Sequence, residues 1–336
     1  MRFQFYTEEI ADLPKLSVDG TVGNSIHFSH WEGNETPEEV KADTSTEIAL
    51  NLVTSPNRNA LTRGIDLVTN NHFDTDGMLS VWTVMTGERS ANYRDVLLAA
   101  AEAGDFSEYS TETGIRVSLA IQGSDQASSD DDSGSPLARK LAGTPIDDDA
   151  RAYELIMPEV ERLVTRINDY EDLWRDGWKK ISKAVESFEV GNSKVQEFSE
   201  SRISLVTLAP EIFSGSGFNP TRHAAPFTAI SRYARGMLFV IAIPNMSGWF
   251  YRIDYPYYSW AETLVRPAVD RRDFSSALKR LNETEGNAGS WQVDNREMTS
   301  AVKFLDDSGA LAASSQSPDE VASIIAIETS RRRAYA

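Results

Sequence analysis

Three side chains that ligate hard cations, His72, Asp74 and Asp76, fall within five residues in Asn70-Asn71-His72-Phe73-Asp74-Thr75-Asp76-Gly77. Alternate residues of an extended loop point the same way, so this spacing lets all three converge on one ion. Imidazole with carboxylates suits Mn²⁺, Mg²⁺ or Zn²⁺, and the carboxylate count favours Mn²⁺ or Mg²⁺. Gly77 lets the chain turn sharply. The competing reading is structural: Asp is common at turns and helix N-caps, so Asp74 or Asp76 would merely cap a helix.

Further donors come from neighbouring segments. The chain has four histidines, His27, His30, His72 and His223. His30 follows the alternating stretch Ser25 to Ser29 and is expected on the same sheet edge as His72. Asp43 stands at a helix start, and Asp105 follows a helix, where another strand end would return it to the site. His30, His72, Asp74, Asp76 and Asp105 would then form a two-metal centre of the phosphoryl-transfer type. His27, three positions before His30, falls on the opposite face and reads as structural.

The elements around these residues alternate between strand and helix. Ile65 to Thr69 reads as a strand, the polar stretch to Gly77 as a loop, and the apolar run Met78 to Met85 as a buried helix. Earlier, Asp43 to Glu47 carries capping residues ahead of the helical run Ile48 to Val53. Tyr93 to Ala103 is helical, with Gly104 as its C-cap. Strand, loop and helix in repetition indicate a parallel α/β sheet, whose ligands bind at the carboxyl ends of the strands.

Asp147-Asp148-Asp149 sits where a helix N-terminus favours negative charge. The apolar spacing from Tyr153 to Ile167 predicts one long helix, and Tyr170 to Val190 predicts another. Gly123 to Pro136 reads as a solvated acidic loop. Downstream, Arg202 to Leu208 reads as a strand, and Met237 to Ile243 with Trp249 to Tyr255 as a hairpin. Gly215 to Pro220 is a loop before Arg222-His223. Phe274 to Leu281 and Pro318 to Tyr335 read as helices, the latter ending in three arginines that suit the helix dipole.

An anionic substrate would require arginine. Arg252, Arg266, Arg271 and Arg272 lie among Trp249, Phe250, Tyr251, Tyr255, Tyr257, Tyr258 and Trp260. Arginine with aromatic faces holds a nucleotide by phosphate pairing and stacking; the alternative is a packed strand with surface charges. His223 would reach the same anion or cap a helix. There is no Gly-x-Ser-x-Gly elbow, Walker loop or dinucleotide fingerprint.

Composition narrows the field. Over 336 residues, 40% are hydrophobic and 25% charged, which is globular and long enough for two domains. Lys and Arg number 33 against 51 Asp and Glu, a formal charge of -18, which argues against a duplex nucleic-acid scaffold. Cysteine is absent, which removes disulfides, Cys-zinc sites and thiol nucleophiles. No signal-peptide core or membrane-length apolar run occurs, and a cytoplasmic location is expected.

The stretch His72-Phe73-Asp74-Thr75-Asp76-Gly77, extending to Trp82, resembles the first motif of the DHH-type phosphoesterases. That resemblance implies two divalent ions, usually manganese, with Asp105 nearest to the later Asp that joins them. It also implies an α/β domain, a helical connector and a smaller substrate domain. The Asp-His-His signature is absent, so a phosphate-contacting histidine would have to be His30 or His223. Four blocks spanning most of the chain resemble an uncharacterised bacterial domain family of unknown function: Ser29 to Asn34 through Asp43 to Glu47, Asn71 to Trp82, Ala99 to Phe106, and Tyr251 to Trp291.

The expectations are therefore an α/β fold with a mainly parallel N-terminal sheet flanked by helices, residues 1–146, a helical connector, 147–200, and a smaller C-terminal α+β domain, 201–336. The expected activity is metal-dependent hydrolysis of a phosphoester or phosphoanhydride of a small or nucleotide-like substrate. His30, His72 and Asp76 are the candidate catalytic residues. His72, Asp74, Asp76, Asp105 and Asp43 are the candidate ligands for Mn²⁺ or Mg²⁺. Arg252, Arg266, Arg271 and His223 are the candidate substrate-binding residues. A small anionic substrate, no duplex nucleic acid, no membrane and a possible homodimer complete the reading. A different metal-assisted reaction (condensation, ring opening or amide hydrolysis) and a non-catalytic binding protein are the alternatives.

Overall fold

The computed structural model describes residues 1–123, 134–213, 226–294 and 299–330. The acidic loop tip, the Gly215 to Pro220 segment, Arg222-His223 and the terminal arginines lie outside them. The chain divides into two compact units, residues 1–178 with 260–268, and residues 179–259 with 269–336. The sheets and helices make it an α/β protein.

The first unit holds β1 (Arg2–Phe3), β2 (Lys15–Val18), β3 (Ser25–Phe28), α1 (Ser45–Thr54), α2 (Arg58–Leu61), β4 (Leu67–Thr69), α3 (Thr75–Thr86), α4 (Arg94–Asp105), α5 (Glu112–Ile121), α6 (Pro136–Ala142), α7 (Asp149–Ile156), α8 (Val160–Thr165) and the start of α9 (Glu171–Glu189). Its four strands pair in the order β1-β4-β2-β3, every pair parallel. Parallel pairing brings the carboxyl ends of β2, β3 and β4 to one edge: Val18 lies opposite Phe28, and Ser17 opposite Thr69. Leu16, Val18, Phe28, Val68, Ile48, Leu52, Met78 and Val81 are fully buried between strands and helices. Each buried Leu or Ile contributes about 1.5–3 kcal/mol.

Local chemistry sets the helix ends. Thr44 caps α1 by accepting from Glu47 N, and Asp148 caps α7 by accepting from Arg151 N. Two expectations need correction. The long helix from Tyr153 to Ile167 is broken by a 3-10 turn at Met157–Glu159, because Pro158 has no N–H to continue the ladder. Gly104 is not a C-cap, since α4 runs on through Asp105. A Cβ on Gly104 would lie 2.6 Å from the Cβ of Thr75, so glycine lets the end of α4 close on the start of α3.

The second unit contains the end of α9, β5 (Lys194–Phe198), β6 (Ile203–Thr207), α10 (Phe227–Tyr233), β7 (Leu238–Asn245), β8 (Gly248–Asp254), α11 (Ser275–Thr284), β9 (Ser290–Val293), β10 (Ser300–Leu305), β11 (Ala313–Ser314) and α12 (Pro318–Ser330). Its mixed sheet runs β5-β6-β7-β8-β10-β9, with β11 on β8. The expected hairpin is β7–β8, antiparallel, with Asn245 opposite Gly248. Both sheet faces are covered. Leu238, Val240 and Ala242 point into a core with Trp291, Phe304, Val321 and Ile325, while Phe239, Ile241 and Ile243 point into another with Phe227 and Ile230.

Candidate metal centre

The edge where the parallel strands end carries the donors. Asp19 directly follows β2, His30 comes two residues after β3, and His72 three residues after β4. Asp74 and Asp76 open α3, and Asp105 closes α4.

These side chains form two adjoining sets that share Asp19: Asp19, His30, Asp76 and Asp105, all buried, and Asp19, His72 and Asp74, of which His72 and Asp74 are half-buried. Within each set the ligand atoms lie within 4.8 Å of one another. Nε2 of His30 is 3.1 Å from Asp105 Oδ2, 3.6 Å from Asp19 Oδ1 and 3.8 Å from Asp76 Oδ2. Nε2 of His72 is 2.9 Å from Asp19 Oδ2 and 3.3 Å from Asp74 Oδ2.

Hydrogen bonds behind the donors orient them. His30 Nδ1 lies 2.6 Å from the carbonyl oxygen of Asp43. A carbonyl only accepts, so Nδ1 carries the hydrogen and Nε2 faces the carboxylates. His72 Nδ1 is 3.0 Å from Asn71 Oδ1, the same arrangement. A histidine tied at one nitrogen and presented at the other is the usual form of a metal ligand. Tyr153 O–H donates to the carbonyl of His72, and Asn70 Nδ2 donates to the Tyr153 oxygen, which pins the loop after β4.

The two readings of Asp74 and Asp76 turn out to be compatible. Asp74 Oδ1 caps α3 by accepting from Gly77 N at 2.7 Å, and Oδ2 faces His72. Asp76 accepts from Ser45 N and Thr46 N at 2.7 Å each, tying the α1 N-terminus to the site. The alternation that would bring His72, Asp74 and Asp76 to one point ends at Asp74. Asp76 is already helical and turns towards His30 instead. Asp105 arrives on a helix end, not on a strand end.

Negative charge is concentrated here. Four carboxylates face two imidazoles, mostly out of solvent. Burial works against the His30 cation, but Asp105, Asp76 and Asp19 push its pKa up to about 10. Burial likewise opposes the charge on His72, which Asp19 and Asp74 raise to about 12. Burial and the charge of Asp19 push Asp76 up to about 7. Burial, with the charges of Asp74 and Asp76, raises Asp105 well above the carboxylate range. Burial also opposes ionisation of Asp19, but the charges of His72 and His30 bring it below the usual value. Without another cation, protons neutralise this excess of negative charge.

The residues fit a divalent ion. Both carboxylate oxygens of Asp19 and the Nε2 atoms of His30 and His72 are buried and form no well-aligned hydrogen bond. Buried donor atoms that crowd together short of well-aligned hydrogen bonds fit convergence on a cation. Asp19 was missed by sequence reasoning. Its signal was Leu16-Ser17-Val18 ahead of Asp19-Gly20, a short apolar run ending at an acid and a turn residue.

Asp43 does not join either set through its side chain. Its carboxylate accepts from the backbone N–H groups of Leu264, Val265 and Arg266 and from the Arg266 guanidinium. Arg266 is not available to an anion: Nε donates to Glu108, Nη1 to Asp43, and Nη2 to Glu102 and Glu108. In the second unit Arg252 pairs with Asp254 at 3.2 Å, and the Arg271 guanidinium lies 4.4 Å from the centre of the Tyr255 ring. Arg272 donates to Ser201 O and Thr329 Oγ1. His223 lies outside the described residues. His27, half-buried, meets Val22 O and Glu35 N and stays apart from both donor sets.

Among the described residues, no helix is long and apolar enough to cross a membrane. A comparison with curated proteins finds no match. A solved structure titled "pGpG-specific phosphodiesterase - PggH from Vibrio cholrae" is similar at 6% identity and a TM-score of 0.38, covering 95% of this chain and 84% of that one. A TM-score below 0.5 does not establish a shared fold, and the chemistry of the site rests on its own geometry. A family profile matches residues 1–322, so the chain belongs to the Family of unknown function (DUF6687).

Proposed function

We propose that this protein is a divalent-metal-dependent hydrolase that cleaves a phosphoester or phosphoanhydride of a small or nucleotide-like substrate. The observation that supports the reading is Asp19, whose two oxygens face the two histidines, Oδ1 towards His30 and Oδ2 towards His72. Two adjoining sets of hard donors joined by one carboxylate suit a pair of ions better than a single ion. His30, Asp76 and Asp105 with Asp19 would hold one ion, and His72, Asp74 and Asp19 the other. Bound divalent ions would supply charge stabilisation for a phosphoryl group and acidify a water molecule for attack.

The chain's own residues do the positioning. Asp76 is locked by two backbone donors of α1, and His30 by the Asp43 carbonyl, so their ligand atoms need little reorganisation. Trp260 and Phe106 flank the His30 ring, at 5.0 and 5.6 Å between centroids, and exclude water there. His72 and Asp74 keep partial solvent exposure, so substrate is expected from their side. Arg266, held by Asp43, Glu102 and Glu108, is not proposed as an anion contact.

The test is titration of the metal-free protein with Mn²⁺, followed by assays on nitrophenyl phosphates, pyrophosphate and short oligonucleotides. The expected result is tight metal binding and metal-dependent turnover of at least one substrate. Metal binding without turnover on any would favour a different metal-assisted reaction. Neither binding nor turnover would favour a non-catalytic binding protein.

A further inference from the structure

Residues 260–268 come late in the sequence yet belong to the first unit, and they run directly beside His30. Ala261 forms an antiparallel bridge with Trp31, and Glu262 N donates to the carbonyl of His30 at 2.8 Å. The Glu262 carboxylate accepts from Gly33 N and Asn34 Nδ2. Trp260 stands edge-on to the His30 ring, at 84° between ring planes.

The far end of the segment is fastened by one arginine and three acids. Arg266 presents a two-point fork to Glu108, with Nε–Oε1 at 2.8 Å and Nη2–Oε2 at 2.6 Å. Its remaining donors reach Asp43 and Glu102, each at 2.9 Å, and its guanidinium lies 4.8 Å from the centre of the Phe106 ring. Asp43 gathers three successive amides, those of Leu264, Val265 and Arg266. The side chains of Leu264 and Val265 are 61% and 88% exposed, so apolar burial does not hold this stretch down.

Both ends of this arrangement meet in Asp43. Its carboxylate grips the segment, and its carbonyl accepts from His30 Nδ1. His30 is therefore held at its ring by Asp43 and at its backbone by Glu262, and Arg266 keeps these two partners together. We propose that residues 260–268 are a strap that positions His30 towards the carboxylates, with Arg266 as its clasp. Arg266 and Asp43 are positioning residues on this view. What His30 is positioned for rests on the metal-hydrolase reading; the strap itself does not.

The test uses the full-length chain with Arg266→Gln and Arg266→Lys. Amide hydrogen exchange in the metal-free protein reads the strap directly. In the wild type, amides 262 and 264–266 are expected to be protected. Arg266→Gln should lower that protection at least about tenfold while leaving amides of α1 and β2 unchanged. Arg266→Lys should recover part of it, since lysine keeps the charge but not the fork. The Nδ1–H of His30, held by the Asp43 carbonyl in the wild type, should exchange with solvent at least about tenfold faster in Arg266→Gln, and Mn²⁺ affinity should fall by about 10-fold to 100-fold. Unchanged protection of the amides and of the His30 Nδ1–H would overturn the proposal. If the wild type binds no Mn²⁺, the metal reading fails, and amide and ring N–H exchange still decide the strap. If Arg266→Gln does not fold, Glu108→Gln, which removes the charge and one of the two acceptors of the fork's partner at a half-buried position, should loosen the same amides; unchanged amides there would overturn it equally.

Discussion

Asp19 Oδ2 lies 2.9 Å from Nε2 of His72, bringing the ends of two different strands, β2 and β4, into contact through their side chains. Because the other oxygen of Asp19 faces His30, this carboxylate joins the two donor sets. Asp19→Asn should therefore weaken both. Calorimetric titration with Mn²⁺ should show an affinity loss of at least about 100-fold, larger than for Asp74→Asn, which touches one set only. Equal losses for the two variants would contradict the bridging role.

Metal uptake should expel protons. The free site holds them, with Asp76 near 7, His30 near 10 and His72 near 12. Ligation requires the deprotonated forms, so apparent Mn²⁺ affinity should rise with pH across about pH 6 to about pH 9. Titrations at neutral pH in buffers of different ionisation enthalpy should report at least about one proton released per ion. An affinity independent of pH would mean that the ion sits elsewhere.

Gly77 should not tolerate a side chain. A Cβ there would lie 2.5 Å from Asn70 Nδ2, 2.8 Å from the Tyr153 hydroxyl and 3.0 Å from Asp19 Oδ2. All three atoms belong to the packed wall of the site. Gly77→Ala should cost about 1–3 kcal/mol, read as a lower Tm in calorimetry, and should weaken Mn²⁺ binding as well. A variant of wild-type Tm would show that this wall is soft.

In the second unit, Glu285 should make stability sensitive to acid. Burial opposes its charge, but donors from Ser314, Ser315 and Asn287 bring its pKa down to about 2. A depressed carboxylate stabilises the fold above its unfolded value of 4.5 and loses that contribution as pH falls towards 2. Glu285→Gln should cost about 1–2 kcal/mol at neutral pH, the figure being held low because the group is partly exposed. Urea denaturation at neutral pH and at about pH 3 should show the gap between variant and wild type narrowing in acid. A constant gap would assign the loss to packing rather than charge.

Much of this protein was legible in local patterns. The strand, polar loop and apolar helix from Ile65 to Met85 announced a parallel α/β edge, since period and turn chemistry are local properties. The side-chain types of His30, His72, Asp74, Asp76 and Asp105 marked them as candidate cation ligands wherever the chain placed them. Family membership was likewise carried by blocks of sequence. What these patterns do not contain is direction in space. Asp19 gave little signal because β2 is only four residues long and its importance comes from lying between β3 and β4. The split into two donor sets was decided where extended chain becomes helix, between Asp74 and Asp76. Asp43 and Arg266 looked like a metal ligand and a phosphate anchor, yet they satisfy each other across 223 residues of sequence. Sequence set which groups carry charge and which segments form strands or helices; only the packing of distant segments decided which charges meet, because a buried ion must find its partner among whatever the fold brings beside it.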